Sequence, residues 1–573
     1  MRVKVSRTTW ILQKWTVNTC FLTTLIILPN LGTDPINVVK LVTVFSGLIL
    51  SLVLFFSEYL KALKHLSKIL MISISTLFLF FILSFMLSNQ PLTEKLLGTW
   101  GRSTGLVYYS VLLILIIVGN FLGKTLGAGF AIRSFILLSI PFNLYGFLQA
   151  FGIDPIPWSR KEVFSTVGNT NFSSALCSFF GIAILSKYVF SETYQKSSEK
   201  LGLISMFALN FFVLIKTSSV QGFLLLTLGG LILVLIKLWI QEKKRLYFTV
   251  IFSILSIAPV VFAGLLDRGP LSKLLFQETL AYRTDYWRAG LNMIADKPFV
   301  GLGFDAYGDY YRLYRDSTAV FRTGPERVSN TAHNIFIDLG VNAGFIVMLL
   351  MLVLFIYPSL SIIRRIFISK NTTFEEVFLS VFLIAYFVQG MISINQIGIG
   401  VWAWLFMGLA FAVVSNRGEV AMYNTSVVHK NNLSSKKKAS RANMYSTKYP
   451  QLSAKQLVSA FITIALISPI ALAPIIQDFR VLKISKSIVN ESPREDSLLK
   501  INGLMNTGQA ELILDTLAKN QDTRTLDFAK ELYVFNPRSL YALRVISEQS
   551  PDSAFRNAAK KEIINLDPLG SKS

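Results

Sequence analysis

Only three histidines occur in the 573 residues of this chain. His65 sits in a basic stretch, Lys-Ala-Leu-Lys-His-Leu-Ser-Lys, and His429 in a Ser/Asn/Lys-rich segment, where both read as solvated bystanders. His333 differs: in Thr331-Ala332-His333-Asn334-Ile335 it closes a long polar segment, 267–333, as the chain re-enters an apolar run. A neutral imidazole there can take the proton of an attacking hydroxyl. A helix-start histidine bonded to backbone is an equally good reading of the same spacing. The segment before it carries Arg283, Arg288, Arg312, Arg315, Arg322 and Arg327, whose planar forks suit phosphate oxygens. Acids are interspersed, so the segment is no simple polycation. Tyr282, Tyr286, Trp287, Tyr307, Tyr310, Tyr311 and Tyr314 lie among the arginines, with rings able to anchor at a membrane boundary or stack on sugar faces. Together these residues point to an anionic, lipid-borne substrate carrying sugars. The segment has no Asp-any-Asp pair and no His/Cys/carboxylate cluster at ligand spacing, so neither a metal nor another cofactor is expected. Charge developing on a leaving phosphate then falls to arginines.

The elements that position these residues are apolar helices. Hydrophobic residues make up 52% of the chain and charged ones 16%, with a mean hydropathy of +0.52, values that make a soluble enzyme untenable. Runs long enough to cross a bilayer of about 30 Å fall at 15–32, 36–56, 69–88, 105–122, 133–152, 172–190, 201–217, 222–240, 246–266, 334–357, 376–396 and 399–416, with a thirteenth at 456–475. The basic N-terminus reads as the start of an uncleaved first span. With that end inside, clusters such as Lys61, Lys64, Lys68 and Lys243, Lys244, Arg245 fall in inner loops. The net charge of +23 is therefore mainly topological, and nucleic acid is not expected as a partner. Cys20 and Cys177 lie in apolar runs and support no disulfide framework.

The expected architecture is all-α: a polytopic membrane bundle of about 12–13 spans, a large outer loop at about 267–333, and a C-terminal helical domain. The domain division runs 1–416 for the membrane core, 417–455 for a basic cytoplasmic linker, 456–475 for the extra span and 476–573 for an extracytoplasmic helical domain. That last stretch is nearly neutral, with 14 Lys+Arg against 13 Asp+Glu. Its breaks at Asn536-Pro537 and Asp567-Pro568 have a spacing near that of a tetratricopeptide repeat, although a generic helical bundle fits as well. Either would serve binding or positioning, with a protein partner as one occupant.

Several motifs, taken together, resemble the O-antigen ligase and polymerase superfamily of bacterial membrane glycosyltransferases. Arg283-Thr284-Asp285-Tyr286-Trp287-Arg288-Ala289-Gly290, then Ile294-Ala295-Asp296-Lys297-Pro298 and Gly301-Leu302-Gly303-Phe304, look like that family's loop signature. His333-Asn334 with Gly344 matches its histidine motif, and Gly101-Arg102-Ser103-Thr104-Gly105 and Gly168-Asn169-Thr170-Asn171-Phe172 look like two of its outer loops. Two positions depart from the pattern: Ser219-Val220-Gln221-Gly222 stands where many relatives have Ser-Arg-Gly, and Val347 where a small or tyrosyl residue is usual. The resemblance implies transfer of a glycan from a polyprenyl diphosphate, such as undecaprenyl diphosphate, to an acceptor hydroxyl, without metal or nucleotide sugar. Mapped residue by residue, it makes His333 the general base and gives Arg283 and Arg288 the diphosphate. Arg102 and Arg160 complete the anion site, with Asn334, Trp287 and Arg315 as further substrate contacts. The expected location is the bacterial plasma membrane, N-terminus cytoplasmic and C-terminal domain extracytoplasmic, with a glycan, lipid or protein as acceptor. A protein O-oligosaccharyltransferase is the sibling reading. A polysaccharide flippase is the remote one, since transport places ionisable residues within spans and these spans are almost uncharged.

Overall fold

A computed structural model describes residues 6–29, 32–158, 161–191, 196–276, 278–415, 454–490, 500–502 and 504–570. Among these, all regular structure is helical. The linker expected at 417–455 lies almost wholly outside the described residues, as does Arg160.

Eleven of the described helices are long and apolar enough to cross a membrane, as expected of a polytopic bundle. Two expected spans form helices that fall outside that set, for different reasons. Phe374–Gly390 has only 17 residues. Arg7–Leu25 is rich in threonine and turns Thr9, Gln13, Thr16, Thr19, Thr23 and Thr24 toward the protein interior. Thr19, Thr23 and Thr24 hydroxyls donate to carbonyls one turn back, which satisfies them inside the bundle.

The bundle's centre is the pair Leu106–Leu126 and Ile397–Ser415, which approach backbone to backbone. A Cβ on Gly408 would lie 2.3 Å from the Ile116 carbonyl, and one on Gly119 2.5 Å from the Leu405 carbonyl, the close small-residue contact that replaces hydrophobic drive between helices in lipid. Of the 18-residue core of Ile397–Ser415, 89% is buried, against 6% for Lys244–Leu265, whose Phe248, Phe252, Leu255 and Phe262 face outward. That helix is apolar all round and suits contact with lipid.

Two features depart from the sequence expectation. The span anticipated at 334–357 is divided at Gly344 into a short buried helix, Ile335–Ala343, and the crossing helix Phe345–Ser369. Gly344 takes φ +91°, and a Cβ there would sit 2.2 Å from the Phe299 carbonyl. The break thus lets 298–303 lie against the short helix, with Phe345 N–H donating to Pro298 O at 2.8 Å and Leu302 N–H to Val341 O at 2.7 Å. The second departure is at the C-terminal side. Ala454–Val489 is one helix of 36 residues, so the boundary expected at 475/476 falls inside it. Four short helices follow, Thr507–Lys519, Thr525–Phe535, Leu540–Gln549 and Ser553–Leu566, around a separate apolar core of Ile513, Leu517, Phe528, Leu532, Leu543 and Ile546.

Candidate active site

His333 is held by the turn that starts the short helix Ile335–Ala343. Asn334 caps that helix, its side-chain oxygen accepting from Phe336 and Ile337 N–H at 3.0 and 3.2 Å. Four residues further on, Asp338 reaches back: its carboxylate accepts from Ala332 N–H at 2.8 Å and from the Thr331 hydroxyl at 3.1 Å. The Thr331 hydroxyl oxygen in turn accepts from His333 N–H at 2.7 Å. Between these bonds His333 adopts φ +52°, a left-handed conformation unusual for a residue with a Cβ. Such strain is retained where surrounding bonds over-determine it, and here it aims the imidazole away from the helix and onto the Tyr286 ring, stacked at 5.7 Å and 29°.

Tyr286 belongs to the helix Glu278–Asp296, which lies against the short helix through Ala289, Met293 and Ile294. Gly290 is the close point: a Cβ there would come within 2.5 Å of Ile337. Tyr307 donates to the Tyr286 carbonyl at 2.6 Å and Tyr311 meets the Tyr286 ring edge-on at 5.7 Å, so the aromatic residues of this segment brace the site helix.

The same helix carries Arg283 one turn before Tyr286. Among the described residues Arg283 has neither ion pair nor hydrogen bond, and burial lowers its pKa. Arg102 arrives from a loop distant in sequence. Its Nη1 donates to Asn330 O at 2.8 Å, its Nη2 lies 3.8 Å from Asp305 and 3.9 Å from Asp338, and its Nε has no partner. Asp305 fixes that loop: its carboxylate accepts from Thr99 N–H at 3.1 Å, from Thr104 N–H at 3.3 Å and from the Thr104 hydroxyl at 2.7 Å. The Arg102 loop and the segment ending at His333 are thereby joined. Burial, then Arg283, then Arg102 push the His333 pKa down to about 4, and the same burial drives Asp338 up to about 6. The imidazole is neutral at pH 7 and keeps an available lone pair.

Other candidates lie elsewhere. Arg288 is half exposed and paired with Asp285 at 2.5 Å and Asp316 at 3.1 Å, while Arg322 takes the second Asp285 oxygen at 2.7 Å. Trp287 is half-buried and its indole N–H has no partner. Arg315 is buried and turned to the C-terminal helices, where its Nη2 meets Asp567 at 2.7 Å and its Nη1 the carbonyls of Pro325 and Arg327. Asn334 has its side-chain oxygen committed to the cap. At the departure from the usual pattern, both amide atoms of Gln221 are buried without partners, and Ser219 next to it donates to Asn171 at 2.7 Å, joining two of the loops noted in the sequence. Asp305 and Asp338 were not anticipated. Their signal was slight: one carboxylate directly after Gly-any-Gly-Phe, the other five residues after the histidine.

Residues 205–352 match the family described as O-Antigen ligase. That stretch holds Arg283, Arg288, Arg315, His333 and Gly344, whereas Arg102 precedes it. A provisionally named polysaccharide ligase of Rickettsia felis is 28% identical over 243 residues, which are 40% of this chain and 57% of that protein; the match spans little more than half of the relative's length. Both findings support the resemblance to the O-antigen ligase superfamily carried by the motifs, and the eleven long apolar helices fit a multi-pass membrane protein.

Proposed function

From this O-antigen ligase-like character, we propose that the protein transfers a glycan from a polyprenyl diphosphate carrier to an acceptor hydroxyl at the outer face of a bacterial plasma membrane, without metal. The observation that carries the reading is Arg283, a half-buried cation with no partner among the described residues, set with Arg102 beside a neutral His333. A cation shielded from water and left unpaired is costly, and a diphosphate would complete it.

In the proposed step the acceptor oxygen attacks the anomeric carbon as its proton passes to the His333 imidazole. The bond between that carbon and the phosphate oxygen breaks, and its electron pair leaves with the polyprenyl diphosphate, whose charge Arg283 and Arg102 meet. A single displacement inverts the anomeric centre. The two arginines also explain how a weak base becomes a better one. Their charge helps to hold the imidazole pKa down; a bound diphosphate offsets that charge, so the base strengthens when the donor is in place. Arg288, half exposed near the middle of the site helix and able to exchange its pairs with Asp285 and Asp316 for the donor headgroup, is suited to guide that headgroup, and Trp287 to lie along a sugar.

A ligase is favoured over a polymerase by the name of the Rickettsia felis relative, and a protein acceptor is the nearest alternative. The orientation, N-terminus inside and C-terminal helices outside, forms part of the same reading, as does a division into membrane core, linker and C-terminal helices carried on the helix Ala454–Val489. Purified protein in lipid, given a glycan-loaded carrier and acceptor with EDTA present, is expected to release polyprenyl diphosphate. Product analysis separates the branches: a lengthened lipid-linked chain means polymerase, a glycan on a lipid core or protein means ligase or oligosaccharyltransferase. Glycan movement across the bilayer with no diphosphate release would refute the proposal in favour of a flippase.

A further inference from the structure

The C-terminal helices close over the loops that lead to His333, and a cavity of about 430 Å³ remains between them. One wall comes from Glu94, Thr99, Trp100 and residues within 308–312 and 328–330, and the other from residues within 507–511 and 538–544. Ser329 and Asn330 in the first wall precede His333 by four and three residues, and the Asn330 carbonyl is the one that accepts from Arg102. The cavity thus adjoins the candidate active site through a single stretch of chain.

The closure is specific. Arg544 grips Glu326 with both nitrogens at 2.9 and 2.8 Å, Arg538 lies 3.7 Å over the Tyr310 ring, Thr507 N–H donates to Glu94 at 2.7 Å, and Asp567 takes both Arg312 and Arg315. Among the described residues, Glu94 Oε2, Thr99 Oγ1 and Arg538 Nη2 are buried without hydrogen-bond partners behind the cavity wall, so a ligand in the cavity meets them as the side chains around them shift. Glu94 is only 1% exposed, and a buried polar atom without a partner costs about 1–3 kcal/mol. The three atoms comprise an acidic oxygen, a hydroxyl and a guanidinium nitrogen. The wall mixes Arg312, Arg538 and Arg544 with Glu94, Asp309 and Glu511, so donors and acceptors alternate and no single sign of charge lines the cavity. A polyhydroxylated ligand satisfies such a wall, each hydroxyl both donating and accepting. The Trp100 and Tyr541 side chains in the wall add aromatic surface of the kind that lies on sugar faces, and the volume falls within the small-ligand range of about 300–1,000 Å³.

We propose that this cavity is a carbohydrate subsite, completed by the C-terminal helices, that holds the non-reacting part of a glycan beside the transfer centre. The assignment rests on the glycan-transfer reading above and extends it to the tail. The wall's protonation supports it: burial, then Asp309 raises the Glu94 pKa to about 8, and burial raises Asp309 and Glu511 as well. The shift favours the protonated carboxyl, which can donate to a sugar oxygen as well as accept.

The test uses the full chain in lipid nanodiscs and two probes: the oligosaccharide released from its carrier by mild acid, and the acceptor glycan freed of lipid. Binding is followed by saturation-transfer NMR for the wild type and for Trp100→Ala, Glu94→Gln, Trp100→Phe and His333→Ala. At least one probe is expected to bind, with Kd raised fivefold or more by Trp100→Ala and by Glu94→Gln. Trp100→Phe, which keeps a ring, should lie between, and His333→Ala should bind like wild type. Binding of the released donor oligosaccharide would assign the subsite to the donor, and binding of the acceptor glycan to the acceptor. Absence of binding by both probes, or a Kd unchanged within twofold in all the cavity variants, overturns the subsite. Retained binding with no diphosphate release in the transfer assay would overturn the chemistry at His333 and leave the subsite standing.

Discussion

The arginines of the long polar segment, and Arg102 from the loop beside it, behave differently on the segment's two sides. Toward the C-terminal helices, Arg312 and Arg315 share Asp567, at 2.8 and 2.7 Å. Toward His333, Arg283 meets no carboxylate among the described residues, and Arg102 stays 3.8 and 3.9 Å from its two. The contrast teaches how to read charge in a segment where everything looks basic. A guanidinium with its countercharge in place holds the protein together, and one kept from its countercharge awaits an anion.

The comparison can be broken from either side. The largest effect is expected at the docked face: Arg315→Ala leaves buried Asp567 with one partner fewer and should destabilise the attachment of the C-terminal helices by about 3–5 kcal/mol, read as proteolytic release of the tail. At the open face, His333→Ala should cut diphosphate release about 100-fold or more, or about 2.7 kcal/mol of barrier, with the thermal midpoint at pH 7 little changed. A residual rate within about threefold of wild type would end the general-base assignment.

Arg283→Gln sharpens the contrast further. Without a countercharge to orphan, it should leave stability intact or improved, yet lower kcat/KM for the donor about tenfold, near the loss of one charge-assisted contact of about 1.5–3 kcal/mol. It should also raise the His333 pKa from about 4 part of the way toward the free value near 6.5, burial being the larger cause. The sign follows from linkage. A folded pKa below the unfolded one gives stability that is present above pH 6.5 and lost as pH falls toward 4. The wild type should therefore lose stability between pH 6.5 and 4.5 more steeply than His333→Gln, in melting curves at each pH. The smallest effect belongs to Arg544→Ala, whose pair with Glu326 is exposed on both sides and is worth about 0–1 kcal/mol.

How much of this was legible in the sequence depended on distance along the chain. Long apolar runs announce helices, and His333 announces itself by scarcity. The site around it is built from pairs no local pattern reveals. Asp305 and Thr104 are 201 positions apart, Arg102 and Asn330 are 228 apart, and no spacing signals either pairing. Asp338 was closer, but an acid one turn into an apolar run reads as an interruption until its bonds to Thr331 and Ala332 are seen. The division at Gly344 was hidden because hydropathy does not register a change in φ. Arg315 and Arg283 were indistinguishable as letters; only their neighbours separate a docking residue from a candidate ligand-holder. The first helix was expected at 15–32 but runs Arg7–Leu25, because its threonines lower the hydropathy of the half that is buried in the bundle.

The long helix Ala454–Val489, continuous through Pro469 and Pro474, has a mechanical consequence. At 1.5 Å per residue its 36 residues extend about 54 Å, more than a bilayer core requires, so the crossing and the support of the tail share one rod. Asp478 on that rod accepts from Asp34 N–H at 2.8 Å and from Gln509 at 3.2 Å, fastening it to the bundle on one side and to the tail on the other. Such a shaft transmits angle as well as position: one inserted residue would turn everything beyond it by about 100°. The fit of the C-terminal helices over their cavity is therefore a matter of phase, set by the number of residues in a single helix.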